Sequence, residues 1–479
     1  MGEPLNRRDF MRYAATGAAA GTLSLSSAAG AKGRSDDRPN IVLMMADDVS
    51  ARPFGCYGHQ KHLTPHIDRM ARQGVMFRTC WATPICGPTR AEIMTGRYGF
   101  RTGWYHNRFK VPKGEAGTNF QPDNLIFAEL LKQAGYATAV CGKWQLPGAR
   151  ADYGFDENCM WIGMQGKDTW FDGPVEGEGC PLPGRAARYW HPAIKRNGQP
   201  IKTGPDDYGP DLFVEFLLDF ARRKRSQPFL VYYPMVLPHI SWDFENERHS
   251  YLPVPELDRS GRRTGGKRPG SLKSNVEYID SLVGRIERGL EQLGLRDNTV
   301  ILFTADNGTA GYGKGRVQLE RGPRVPMVVG GARVKAQEAV DALVDFSDVL
   351  PTLCELGGAT LPGGYQLDGH SFARVLRGES DGERDWIFSY YADHRMLRDH
   401  RWLRDGNGTF WDCGNRRNEQ GYKDVTDSDD PEVVTARKRL RPILATLPPP
   451  RPEQVRKHWH KPVRQEVLDY WKRRRSAEG

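Results

Sequence analysis

The sequence predicts an α/β fold: a large, mostly parallel or mixed sheet flanked by helices on both faces, followed by a smaller C-terminal antiparallel-sheet subdomain. Three observations predict it. Short continuous apolar runs, the mark of strands buried on both faces, end repeatedly in charged or polar residues. Segments with apolar residues at helical spacing alternate with these runs, as they do where helices form the crossovers of a parallel sheet. After Asp368-Gly369 the alternation stops and only short strand-like pieces follow.

The first strand is the run Asn40-Ile41-Val42-Leu43-Met44-Met45, which ends at Asp47-Asp48. Thr64-Pro65 then opens a helix with a capping hydroxyl and a proline at the first helical position; Ile67, Met70 and Ala71 share a face, and Gly74 closes it. A strand-like stretch leads to Cys86-Gly87-Pro88-Thr89-Arg90, and a helix is predicted over 90–95. A helix over 125–133 feeds a strand over 136–141 that delivers Gly142-Lys143-Trp144. The irregular, Trp-, Gly- and Pro-rich stretch 150–205 reads as loops over a site, with a hairpin at Arg196-Asn197-Gly198-Gln199. A helix over 212–221 leads to a strand over 229–233 that runs out at Pro238-His239. A long helix carries Val276, Ile279, Val283, Ile286, Leu290 and Leu293 and feeds a strand over 299–304 before Asp306-Asn307-Gly308. The small sheet is read from pieces at 386–390, 401–403 and 409–411, and Asp430-Pro431 caps a closing helix.

With 479 residues, 38% of them apolar and 27% charged, the chain has ample material for a core, which excludes disordered, collagen-like and coiled-coil classes. Its 69 Lys and Arg exceed its 59 acids by ten, but residues 437–479 hold 13 of those bases against 4 acids. The body is close to neutral, so no nucleic-acid partner is expected. The start, Asn6-Arg7-Arg8-Asp9-Phe10-Met11 followed by a weakly apolar stretch and small residues, reads as a twin-arginine export signal over 1–31. No later run of about 18 apolar residues follows, so no integral membrane association is expected and the protein is predicted to be periplasmic or secreted. The predicted organisation is the signal, a main domain over 32–380, a small-sheet subdomain with its closing helix over 381–447, and a basic tail over 448–479, read as an exposed or partly helical extension. Eight cysteines show no C-x-x-C spacing, which argues against zinc; an oxidising compartment would allow disulfides.

Taken singly, Cys86, Asp47-Asp48, His239, Asp306-Asn307, Lys143 and Lys314 each have an ordinary structural explanation. Together they do not. Hard cations such as calcium take oxygen ligands, and Asp47, Asp48, Asp306 and Asn307 converge if the strands are neighbours. Arg90, Lys143 and Lys314 would add positive charge beside such a cation, so the site is suited to a tetrahedral oxyanion. His239 is the side chain able to give a proton to a leaving group near neutral pH.

The order of these motifs resembles that of the type I, formylglycine-dependent sulfatase family within the alkaline-phosphatase-like superfamily. It runs from the opening Pro39 to Asp48 stretch through Gly55-Cys56-Tyr57-Gly58, Thr64-Pro65-His66-Ile67-Asp68, Cys86-Gly87-Pro88-Thr89-Arg90 with Met94-Thr95-Gly96-Arg97, Gly142-Lys143-Trp144, Pro238-His239, Asp306-Asn307-Gly308 and Gly313-Lys314-Gly315 to Arg324-Val325-Pro326. The resemblance implies that Cys86 is converted to formylglycine by a maturation enzyme. The hydrated aldehyde would be the nucleophile, with one hydroxyl attacking sulfur and the other expelling sulfate. It also implies one calcium ion held by Asp47, Asp48, Asp306 and Asn307 beside residue 86. Arg90 would hold the nucleophile, Lys143 and Lys314 would neutralise sulfate, and His239 would protonate the alcohol. One departure stands out: where the family usually has a histidine after Gly-Lys-Trp, this chain has Gln145, which cannot accept a proton, so either slower sulfate release is expected or another group, such as a metal-bound water, takes the histidine's place. The implied substrate is a sulfated small molecule, in an exported protein a sulfated carbohydrate. Two alternatives remain open at this point: a phosphonate or phosphate ester hydrolase of the same superfamily, and an impaired protein that only binds sulfated ligands.

Overall fold

A computed structural model describes residues 37–107, 124–147, 150–163, 175–176, 185–243, 246, 248–417, 420–459 and 462–478. The expected export signal, and with it Trp170 and Cys180, lies outside the described residues.

The main sheet has ten strands: β1 (Asn40–Ala46), β2 (Val75–Trp81), β3 (Ala137–Gly142), β4 (Glu157–Trp161), β5 (Ile194–Arg196), β6 (Gln199–Pro200), β7 (Phe229–Pro234), β8 (Thr299–Ala305), β9 (Met327–Gly331) and β10 (Glu338–Asp345). Their order is β10-β2-β9-β8-β1-β7-β3-β4-β5-β6. The centre, β8 to β4, is parallel throughout, and only β9 and β5 run against the rest. The central strands β1, β3, β7 and β8 are buried along their whole length, as their unbroken apolar runs require.

Helices α1 (Pro65–Gln73), α4 (Gly209–Arg223) and α5 (Leu272–Gln292) pack on one another; α2 (Cys86–Thr95), α3 (Phe127–Gln133) and α6 (Val349–Gly357) form a second group. Both α3 and α4 pack on β3, one from each group. The five-stranded small sheet, β11 (Ile387–Tyr391), β12 (His394–Arg398), β13 (Trp402–Asp405), β14 (Phe410–Asp412) and β15 (Lys423–Asp424), is antiparallel. It leans on the β2 and β10 edge, where Ser389 Oγ donates to the Ala82 carbonyl at 2.8 Å. Its other face carries α7 (Pro431–Thr446), with Val433, Ala436, Leu440 and Leu444 buried.

Three readings are corrected. Thr64 does not cap α1; its hydroxyl accepts from Gly55 N and donates to Asp68, tying the preceding turn instead. Residues 150–205 are not loops alone, because β4, β5 and β6 extend the main sheet, with the Asn197-Gly198 turn in the left-handed region joining the last two. The basic tail is not an exposed extension: α8 (Pro452–Trp459) and α9 (Gln465–Glu478) fold back onto the small sheet and bury Val455, Val467 and Tyr470, while Arg464 N donates to Asp393. The cysteines described are all free. Among the described residues no helix is long and apolar enough to cross a membrane.

Candidate active site

Four adjacent parallel strands end on one edge of the sheet, and each delivers a polar side chain there. β1 leads into Asp47 and Asp48, β8 into Asp306 and Asn307, β3 into Lys143, and β7 into the turn that carries His239. Backbone bonds lock these ends together: Asp47 N donates to Leu237 O at 2.7 Å, Asp306 N to Ala46 O at 2.9 Å and Lys143 N to Pro234 O at 2.7 Å. Gly142 makes the last approach possible, since its φ is 114° and a Cβ would stand 2.1 Å from the Pro234 oxygen.

The fifth contribution is α2, which begins at Cys86 itself, four residues earlier than predicted. Pro88 is tolerated because the first turn of a helix has no carbonyl waiting for its missing N–H. The whole helix is buried, with Cys86 and Arg90 each 2% exposed. Thr83 and Thr89 brace its start, Thr83 N donating to Thr89 Oγ1 at 3.1 Å.

Three cations meet three carboxylates here. Lys143 Nζ lies 2.5 Å from Asp47, Lys314 Nζ 2.6 Å from Asp48, and Arg90 2.8 Å from Asp306. Arg90 also donates to the Lys143 carbonyl at 3.2 Å. Asp48 holds a left-handed backbone, φ 68°, and its amide donates to Asp306 at 2.9 Å while its carboxylate accepts from Asn307 Nδ2 at 2.8 Å. Burial pushes the Asp47 carboxyl up, but the charges of Lys143, Arg90 and Lys314 outweigh it and hold the group well below the usual carboxylate range. Burial and the neighbouring Asp47 push Asp306 up to about 7 despite Arg90.

Two buried oxygens in this cluster, Asp47 Oδ1 and Asn307 Oδ1, have no hydrogen-bond partner. One ligand atom from each of Asp47, Cys86 and Asp306 falls within 4.8 Å of the others, and so does a set from Asp47, Asp48 and His239. Orphaned oxygens beside carboxylates fit a hard divalent cation such as calcium.

His239, 11% exposed, sits 3.4 Å from Asp48, and its Nε2 lies 3.2 Å from Lys314 Nζ. An ammonium has only protons to give, so Nε2 accepts and Nδ1 donates to the Ile240 carbonyl at 2.5 Å. Burial, then Lys143, push this imidazole well below its ordinary value, so it is neutral in the free protein. Burial likewise raises the Cys86 thiol against the pull of Lys143 and Lys314.

The family model described as Sulfatase matches residues 39–359. The chain belongs to the sulfatase family. It is 30% identical over 440 residues to the steryl-sulfatase of Mus musculus, a match covering 74% of this chain and 67% of that one. It is 25% identical over 474 residues to the N-acetylglucosamine-6-O-sulfatase of Bacteroides thetaiotaomicron, covering 78% and 79%. The fold is similar to that of BT4656 solved with its substrate D-glucosamine-2-N,6-O-disulfate, with a TM-score of 0.64 and 20% identity over 89% of this chain and all of that one. Sulfatases hydrolyse sulfate esters, and this chain is accordingly a sulfuric ester hydrolase.

The sulfatase brings Asp47, Asp48, Cys86, Arg90, Lys143, His239, Asp306, Asn307 and Lys314 into one centre. Gln145, next along from Trp144, is half-buried with its Oε1 unpartnered. Trp144 packs edge-on against Tyr153, Trp161 is buried beneath Arg188, and Trp190 donates to Pro253 O, so these three have packing roles. Arg321 stands over Tyr312, 5.4 Å from its ring. Two contributors have no sequence signal. Asn107 accepts from Gly87 N at 2.8 Å and turns its amide toward Cys86 Sγ at 3.9 Å. Tyr189 donates from its hydroxyl to the His239 and Val236 carbonyls, holding the turn that carries the imidazole.

Proposed function

We propose that the protein removes sulfate from a sulfated carbohydrate after export by the twin-arginine route, with Cys86 converted to formylglycine and one calcium ion beside it. The observation that carries this reading is the meeting of Cys86 with Asp47 and Asp306 inside a ring of three cations, with two buried oxygens left unpartnered. A buried thiol pushed above its ordinary value is a poor nucleophile, which favours its conversion. The aldehyde hydrate would supply one hydroxyl to take the sulfuryl group and a second through which sulfate leaves. Asp47, Asp48, Asp306 and Asn307 would hold calcium, which supplies charge that polarises sulfate oxygens.

The chain's own residues do the rest. Arg90, tied to Asp306 and to the Lys143 carbonyl, fixes the first turn of α2 and so position 86. Asn107 presents an amide to the same position. Lys143 and Lys314 bring two ammonium groups to an anion entering between them and exclude a neutral ester. Negative charge from a bound sulfate ester opposes the push of those lysines on His239, so the imidazole gains its proton in the substrate complex and gives it to the departing alcohol. Support for a carbohydrate comes from the relative named N-acetylglucosamine-6-O-sulfatase and the fold neighbour solved with D-glucosamine-2-N,6-O-disulfate.

The test is mass spectrometry of the tryptic peptide 79–90 from the native host, which carries Cys80 as an internal control. An aldehyde at 86 alone, with hydrolysis abolished by Cys86→Ala, is the expected result; two intact thiols would sink the formylglycine mechanism.

A further inference from the structure

We propose a second anion-binding site, outside the catalytic centre, that seats sulfate groups of a polysaccharide chain between the small sheet and the C-terminal helices. The identity of the ligand rests on the carbohydrate reading above; the site rests on its own geometry. Two adjoining cavities of about 490 and 590 Å³ open there, and they share Arg404 of β13, Gly406, Arg441 of α7 and Arg473 of α9. Among the described residues, none of these three arginines enters an ion pair. Nearby, by contrast, Arg401 pairs with Asp412 and Arg439 with Asp399.

The acids that line the cavities are partly engaged by other groups, although one buried oxygen of Glu466 has no hydrogen-bond partner. Glu466 faces Arg395 at 3.4 Å, and Asp469 accepts from Gln465 at 2.8 Å. Arg404 Nε is buried without a partner, and burial, then Arg441 and Arg437, push its guanidinium below its ordinary value against the opposing pull of Asp405 and Glu466. Like charges gathered around an unpaired buried donor lose energy unless an anion joins them. Guanidinium forks match the paired oxygens of a sulfate group, and Lys438 adds a further ammonium at the rim. Each cavity is far larger than one sulfate ion, and their adjacency suits sulfates repeated along a chain.

The test compares the full-length protein with an Arg441→Gln/Arg473→Gln variant, both positions being exposed, and with an Arg456→Gln/Arg475→Gln control of equal charge outside the cavities. Each is titrated with dextran sulfate, inorganic sulfate and single-stranded DNA across a salt series. Dextran sulfate should bind the cavity variant about tenfold more weakly than wild type, with the salt slope reduced by about two, while the control stays near wild type. Hydrolysis of a small aryl sulfate should be equal in all three. Equal dextran sulfate affinity in wild type and cavity variant, or an equal loss in the control, overturns the site. Inorganic sulfate binding as tightly as dextran sulfate overturns the chain assignment, and DNA binding as tightly through the same arginines overturns the carbohydrate assignment. Binding needs no turnover, so a protein that lacks hydrolysis yet binds through these arginines supports this site while counting against the proposed function.

Discussion

Lys143→Met tests the balance of charge at the catalytic centre. Lys143 stands 2.5 Å from Asp47 with both side chains almost wholly buried, whereas Arg90 comes no nearer to Asp47 than 3.9 Å. Methionine keeps most of the volume and removes the charge. Deleting one partner of a buried pair costs about 3–5 kcal/mol, because the survivor must stay charged alone or take up a proton. A chain of this length, at about 2 cal/mol/K per residue, unfolds with an entropy on the order of 1 kcal/mol/K, so the metal-free variant should melt about 3–5 °C below wild type. Calcium held by the Asp47 carboxylate would replace the missing charge. The deficit should therefore shrink to about 1 °C in excess calcium, and the stabilisation that calcium confers should be larger in the variant than in wild type. Thermal melts of both proteins in chelator and in calcium give the four numbers needed. Hydrolysis should stay about 10²–10³-fold down even with calcium, since an ammonium aimed at the sulfate is gone. A variant that melts with wild type in chelator, or gains no more from calcium, refutes the role given to this pair and the assignment of Asp47 as a cation ligand.

Three further outcomes are expected. Asp280 accepts from His66 N and Ile67 N, yet burial, with Asp68 and Glu287 nearby, raises it to about 7. The folded state keeps a proton that the unfolded chain gives up near 4, so this contribution is full below about pH 4 and is lost as pH rises to about 7; Asp280→Asn should flatten the stability profile across that window. Ending the chain at Pro450 strips Val455, Val467 and Tyr470 from the small sheet, each worth about 1.5–3 kcal/mol of burial, and should lower the melting point by several degrees; an unchanged melt would mean that the tail does not hold the subdomain. Gln145→His restores a group able to accept a proton and should raise steady-state turnover by about tenfold or more while shrinking any pre-steady-state burst of alcohol, as followed by stopped flow on an aryl sulfate. Unchanged kinetics would show that Gln145 does not limit sulfate release.

The centre of the sheet is legible because burial on both faces leaves strands as unbroken apolar runs, and a polar residue directly after such a run has only the strand end to occupy. Asp47, Lys143 and Asp306 are found this way. The start of α2 is misread because Gly87-Pro88 looks like a break, although proline in a first helical turn costs no hydrogen bond. Strands β4 (Glu157–Trp161) and β5 (Ile194–Arg196) are short and mix polar with apolar residues, so their pairing is a tertiary fact with little local pattern. The tail is misread for a related reason: its charge hides three apolar side chains that decide where it packs. Asn107 and Tyr189 act through one or two bonds from loops, and nothing in their sequence neighbourhood marks them.

The charges of the centre explain how it can be assembled in stages. Asp47, Asp48 and Asp306 each have a cation beside them, Lys143, Lys314 and Arg90, so every carboxylate of the cluster has a partner without a divalent cation. A divalent cation taken up there would add positive charge, which a sulfate ester would then reduce, so loading and substrate binding would favour each other. Position 86 obeys the opposite order. It is 2% exposed on a helix buried along its whole length, beneath Asn107, so an enzyme that converts it must reach the chain before α2 docks or while it is undocked. A route that exports folded protein would therefore require conversion to precede export, while the paired carboxylates could still acquire their cation outside.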